Sequence, residues 1–336
     1  MSKNSTRWGW YLGLGMTINT AIAAWGNCAL AQITPDGTLP NNSTININGN
    51  IFNITGGTQA GSNLFHSFNE FSVFNGSEAH FNNAVDIQNI ISRVTGSSVS
   101  NIDGLIKVLQ GNANLFLLNP NGIIFGPNAR LDIRGSFVGS TANSIKFADG
   151  TEFSAKNAQS APLLTVSVPL GLQFGANPAS IQVRGSSHNF TYDPNTAATI
   201  RTDSPGLQVQ PGKTLALVGG DVELEGGNLR AESGRIELGS VTSPSLVNLT
   251  QTDSGFALGY SGVQNFGDIK LSQKASVDAS GEGGGSIQLQ GRRLSLRDGS
   301  SILSITSGSK PGGSFTVNAT ESVELIGQSP DGKYAS

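Results

Sequence analysis

Short runs of alternating apolar and polar residues recur along the sequence, each broken after a few positions by Gly, Asn, Ser, Asp or Pro. Alternation with a period of two is the signature of a half-buried strand, and the breaks are turn formers, so the chain reads as strand, turn, strand throughout. The 44 glycines and 13 prolines supply those turns and argue against an α-helical protein. One segment, Val85 to Val94, reads as a short helix.

In the second half the runs repeat. Leu215/Leu217 and Val222/Leu224 stand 7 residues apart, as do Leu229 and Ile236, and Ile287/Leu289 and Leu294/Leu296 keep the interval before Ile302 and Ile305. Ile269/Leu271, Ile287/Leu289 and Phe315/Val317 form a wider series at 18 and 28 residues. Irregular intervals of this kind suit a solenoid whose coils hold two or three strands and about 22 residues, each coil burying its inward side chains on the one before. A β-sandwich also alternates, but it places turn signals about every 8 to 12 residues. Gly-rich breaks at Gly281 to Gly285 and Gly308 to Gly313 recur at coil-like intervals and favour the solenoid.

The N-terminus is different. Lys3 and Arg7 precede a mostly apolar stretch from Trp8 to Trp25, and Ala29-Leu30-Ala31 stands before Gln32. Charged, apolar and A-x-A parts in that order make a secretory signal over residues 1–31, cleaved after Ala31. Thr17, Asn19 and Thr20 interrupt the apolar stretch, which falls short of a good membrane span. Cys28, the one cysteine, would leave with the signal, so the exported chain relies on its core and backbone ladders without disulfides. It can therefore cross a second membrane unfolded without being locked by oxidation.

The most specific segment runs from Ala113 to Ile133 and contains Asn119-Pro120-Asn121-Gly122-Ile123. Proline fixes φ at the first central position of a turn, and Asn121 or Gly122 can take its tight or left-handed geometry. Together with Ile102 to Gly111 before it and Gly135 to Ile145 after it, the segment resembles the N-terminal secretion domain of two-partner secretion exoproteins of the filamentous haemagglutinin type. Asn119, Pro120, Asn121, Gly122 and Ile123 match the family's N-P-N-G-I motif residue for residue.

The resemblance covers residues 32–147 and implies an all-β fold, a right-handed parallel β-helix with an N-terminal cap and extra-helical hairpins, continued by residues 148–336. It also implies export across both membranes to the cell surface or medium, through a partner outer-membrane barrel with periplasmic POTRA domains. Many relatives are adhesins, so host or neighbouring-cell glycans or proteins are the implied targets. Many also carry an N-P-N-L motif upstream, where this chain has Phe81-Asn82-Asn83-Ala84-Val85-Asp86. The amides of Asn119 and Asn121 either hold the turn by pairing with backbone groups or are read directly by the transporter.

Other chemistries find little support. A net charge of −3 and 13% charged residues exclude a nucleic-acid binder. His66, His80 and His188 have neither H-x-x-x-H spacing nor a Cys partner, so no metal site or cofactor is expected. A polysaccharide-active enzyme would group acids on one face, whereas Asp221, Glu223, Glu225, Glu232 and Glu237 alternate with apolar residues and should point outward to solvent. A non-enzymatic adhesin or structural exoprotein is the expectation; a carbohydrate-active enzyme and the delivery module of a shortened toxin are the alternatives.

Overall fold

Because side chains alternate across a strand, a coil that stacks in register on its neighbour builds continuous rows of like residues. The computed structural model, which describes residues 32–158, 164–193, 195, 198–201, 204–253, 255–330, 332 and 336, shows these rows on three faces. The expected signal segment, with Ala29 and Ala31, lies outside the described residues.

The first face comprises Asn63–Phe71, Asn89–Val94, Asn114–Leu118, Phe137–Ser140, Thr214–Gly219, Arg235–Ser240 and the first halves of Ser286–Arg297 and Phe315–Ile326, all parallel. The second holds Ser100–Ile102, Ile123–Phe125, Ile181–Arg184, Val222–Glu225, Asp268–Ser272 and the second halves of those two long strands, again parallel. The third stacks Ile51–Gly56, Glu78–Phe81, Leu105–Val108 and Arg130–Asp132, then Leu207–Gln208, Asn228–Arg230, Ser276–Asp278 and Ser301–Leu303. Parallel ladders between successive coils make this a parallel β-helix and overturn the sandwich alternative.

The 7-residue interval is the step from one face to the next. Leu215 lies on the first face, Val222 on the second and Leu229 on the third, and Ile236 returns to stack on Leu215. The wider series is mixed. Ile287 does stack on Phe315, but Ile269 belongs to the second face and stacks on Leu294, so the interval of 18 residues joins two faces rather than two coils. The inward first-face row runs Leu64, Ile90, Leu115, Phe137, Leu215, Ile236, Ile287, Phe315, giving coil steps from 21 to 28 residues wherever no excursion intervenes.

Excursions from the coils form a second layer. Ser144–Phe147, Glu152–Ser154, Pro169–Phe174, Ser245–Thr252 and Gly255–Gly259 make an antiparallel sheet. Its Phe147, Phe153, Leu172, Phe174 and Val247 pack on the outward residues of the first face, among them Phe65, Ile91, Phe116 and Val138, in a core separate from the helix interior. First-face strands are therefore buried on both sides.

This layer explains two departures from expectation. Val85 to Val94 is not a helix: Asn89–Val94 is a first-face strand, with Ile90 and Val94 in the helix interior and Ile91 in the second core. Burial on both sides removes the alternation that marks a strand. Glu237 is likewise not solvated; it points outward from the first face but is fully buried beneath the excursion that carries Leu258 and Tyr260. At the N-terminus, Ile33–Pro35 and Thr58–Ala60 add antiparallel to Asn63–Phe71, and the hairpin Ser43–Asn48/Ile51–Gly56 closes the third face.

Candidate functional site

The segment Asn119 to Ile123 forms the corner where the chain leaves the first face and enters the second. It closes a turn in which the Gly122 amide donates to the Asn119 carbonyl at 3.1 Å. Pro120, at the first central position, is buried, and Gly122 takes φ +121°, whereas Asn121 stays out of the left-handed region. Ile123 starts an inward row continued by Ile181, Val222, Ile269 and Leu294.

Asn119 is fully buried. Its Nδ2 donates to the Ser98 carbonyl at 3.0 Å and to Ser100 Oγ at 2.9 Å, both on the preceding corner. Its Oδ1 accepts from the Asn121 amide at 2.9 Å and from Asn121 Nδ2 at 3.0 Å. Asn121 Nδ2 also reaches the Gly96 carbonyl at 2.7 Å, and the Asn119 backbone amide donates to Ser140 on the next coil at 3.0 Å. One turn thus ties three successive coils, and every amide in it is engaged. Asn121 is only partly buried, and its Oδ1 accepts from Lys156 Nζ at 3.1 Å.

In the neighbourhood that stands where relatives carry their second motif, Asn82 is exposed, while Asn83 is buried and donates to the Ala84 and Gln110 carbonyls, both at 2.9 Å. Asn83 therefore links its own corner to the next coil, as Asn119 does.

The model for the TPS secretion domain, the two-partner secretion signal, matches residues 31–289, well beyond the segment around the motif. The chain belongs to the TPS secretion domain family. Two solved structures are similar. The HMW1 secretion domain from Haemophilus influenzae is 15% identical, with 88% of this chain and 84% of that one covered and a TM-score of 0.47. The filamentous hemagglutinin secretion domain is 14% identical, with 87% and 96% covered and a TM-score of 0.47. No curated protein matches the sequence. A TPS domain marks an exoprotein exported by a partner transporter, which puts the protein outside the cell or on its surface, and the family is not enzymatic.

Two buried charges in this TPS domain had no expectation attached to them or the wrong one. Arg93, on the second first-face strand, is 1% exposed. Its Nε donates to Ser67 Oγ at 2.7 Å, one terminal nitrogen to the Ser154 carbonyl at 2.6 Å and the other to Thr38 Oγ1 at 2.8 Å, and the guanidinium lies 4.1 Å from the Phe153 ring centre. Burial draws the guanidinium down to about 10, with Asp36 opposing, so it stays charged at neutral pH. Burial pushes the Asp36 carboxyl up, but donors from Ser67, Thr95 and Thr38 outweigh it and hold the group below its ordinary value. The N-terminal cap, the first two coils and the excursion hairpin meet at this one side chain. An arginine set among Ile90, Ile91 and Val94 is the sequence signal that could have marked it.

Glu237 is the second. Burial pushes its carboxyl up to about 7, against the Arg235 guanidinium 3.0 Å away. Between its ordinary value of 4.5 and about 7 the folded state keeps a proton that the unfolded state releases, so stability falls as pH rises through that window and stays lowered above it. Glu237→Gln is expected to stabilise the protein by about 3 kcal/mol at pH 8 and by little at pH 4, read from urea unfolding at the two values.

The remaining candidates are dispersed. Glu223 pairs with Lys270 at 3.2 Å, Glu225 with Arg184 at 3.9 Å and Glu232 with Arg230 at 3.0 Å, while Asp221 accepts the Asp268 amide at 2.8 Å. His66 meets Ser43 Oγ at 2.9 Å, and burial draws its imidazole down to about 3. His80 meets Glu78 at 2.6 Å and His188 the Gly299 carbonyl at 2.9 Å. Among the described residues no group of three His, Cys, Asp or Glu side chains could hold a metal.

Proposed function

We propose that this chain is a surface-displayed adhesive exoprotein without catalytic activity, and that its transporter depends on the corner at Asn119, Pro120, Asn121, Gly122 and Ile123. The observation that carries the reading is the bonding of that corner into three coils at once. The first rungs to emerge outside the membrane gain a locked edge there, and each later coil adds ladder bonds and buried aliphatic contacts to it. Folding outside then opposes backsliding without any supply of ATP. Residues 32–147 carry the export signal after removal of 1–31 at Ala31–Gln32, and the partner is a barrel with periplasmic POTRA domains that meets the chain unfolded.

Adhesion is supported by the dispersal of the acids and by a polar groove of about 530 Å³ beside the first face. Asp86, Gln88, Asn112, Lys213 and Gln251 line it, and their carboxylate, amide and ammonium groups suit a hydroxyl-rich ligand such as a cell-surface glycan. Purified protein is expected to bind cells saturably, with Asn112→Ala/Lys213→Ala lowering binding about tenfold, the loss of one or two polar contacts. Absence of binding would remove the adhesin reading, and release of sugar from a polysaccharide panel would replace it with the enzyme.

A further inference from the structure

The polar groove beside the first face runs along the β-helix rather than across it. Its floor and one long side come from the same corner of five successive coils: Ser62 and Asn63, then Asp86 to Asn89, Gly111 and Asn112, Ser136, and Lys213. Coils stack about 4.8 Å apart, so four steps make the groove about 19 Å long. Excursions supply the other side, Val166 and Val168 from one and Gln251 and Asp253 from another.

A row of amides fixes the two sides to each other. Asn114 Nδ2 donates to Asn89 Oδ1 at 3.0 Å, Asn89 Nδ2 to Asn63 Oδ1 at 2.9 Å, and Asn63 Nδ2 to the Thr165 and Ser167 carbonyls at 3.0 and 2.8 Å. At the far end the Phe256 amide donates to Thr214 Oγ1 at 3.2 Å. The floor is thus engaged within the protein, and the groove is preformed. The rim is not engaged: among the described residues no hydrogen bond or ion pair holds the side chains of Asp86, Asn112, Lys213, Gln251 or Asp253.

Length, apolar surface and charge together select the occupant. An unbranched pyranose chain repeats its hydroxyls at about the spacing of the coils, so polar side chains from successive corners meet successive sugars. Phe256, the aromatic residue among those described that line the groove, is 3% exposed, and it offers a sugar no flat ring. The apolar surface is instead Val85, Val166 and Val168, 71%, 70% and 53% exposed, whose branched methyl groups match the methyl of an acetamido substituent. Asp86 and Asp253 outnumber Lys213 and oppose a polyanion. We propose, resting on the adhesive reading above, that this groove binds a linear, neutral, N-acetylated glycan along the helix axis, about four sugars at a time, with the acetyl groups against the valines.

Titration calorimetry of the purified protein tests the assignment with fully N-acetylated chito-oligosaccharides of one to six sugars, with cello-oligosaccharides, which share the backbone and lack the acetamido group, and with heparin as the polyanion. Affinity is expected to rise with length up to about four sugars and then level, and the chito tetramer should bind about fourfold more tightly than the cello tetramer for each methyl group buried. Val166→Ser/Val168→Ser should bring the two series to the same affinity, with the thermal transition unchanged because both side chains are exposed. Equal affinity for the two series in the parent protein, full affinity already at two sugars, tighter binding of heparin, or no binding of any chito-oligosaccharide would each overturn it. Saturable binding to cells without binding of the chito series would remove this ligand and leave the adhesive reading standing; binding of the chito series without binding to cells would do the reverse.

Discussion

Arg93→Ala is expected to lower the unfolding free energy by about 3 to 5 kcal/mol, the cost of breaking a buried charge cluster by removing one partner. The guanidinium satisfies Ser67, Thr38 and the Ser154 carbonyl and stacks on Phe153. Alanine leaves that carbonyl unpaired, removes the cation that opposes the half-buried Asp36 and opens a cavity where the cap, the first coils and the excursion meet. Lysine restores the charge but neither the fork nor the plane, so Arg93→Lys recovers only part of the loss. Urea midpoints at constant slope measure both variants. A change under about 0.5 kcal/mol in Arg93→Ala, typical of a surface site, would remove the cluster from the account of stability.

Asn119→Ala carries the second large effect. Its amide donates to Ser98 and Ser100 and accepts from Asn121, and alanine strands these groups at a buried corner. A loss of about 2 to 4 kcal/mol follows, with a severalfold fall in export. Asn121→Ala, at a partly exposed position, should cost about 1 kcal/mol and reduce export in proportion. If Asn121→Ala abolished export while stability stayed near that of the parent, the transporter would be reading the amide itself, and the structural explanation of the motif would fail.

Much of the fold was legible because its helix interior is built from strict alternation. Leu215, Val222, Leu229 and Ile236 stand at equal steps because each face takes a short strand and each corner a short turn. What hid was the second layer. Strands such as Ser144–Phe147 and Ser245–Thr252 alternate like any coil strand, and no local feature says that they fold back antiparallel over the first face. Both misread segments follow from this. Asn89–Val94 lost its alternation beneath the layer, and Glu237 lost its solvent. Arg93 draws its partners from residues as distant as Thr38 and Ser154, pairings that depend on tertiary contacts alone. The motif was the opposite case: Pro120 and Gly122 state the turn locally, while the links from Asn119 to Ser98 and Ser100 appear only once coils stack.

The central claim is that the chain leaves the cell through a dedicated partner and winds into coils only outside. Its most direct test compares culture medium and cell surface in strains that express the chain with and without its outer-membrane transporter. The account predicts protease-resistant, folded protein at the surface or in the medium only when the transporter is present. Equal amounts of folded protein outside the cell in its absence would contradict it.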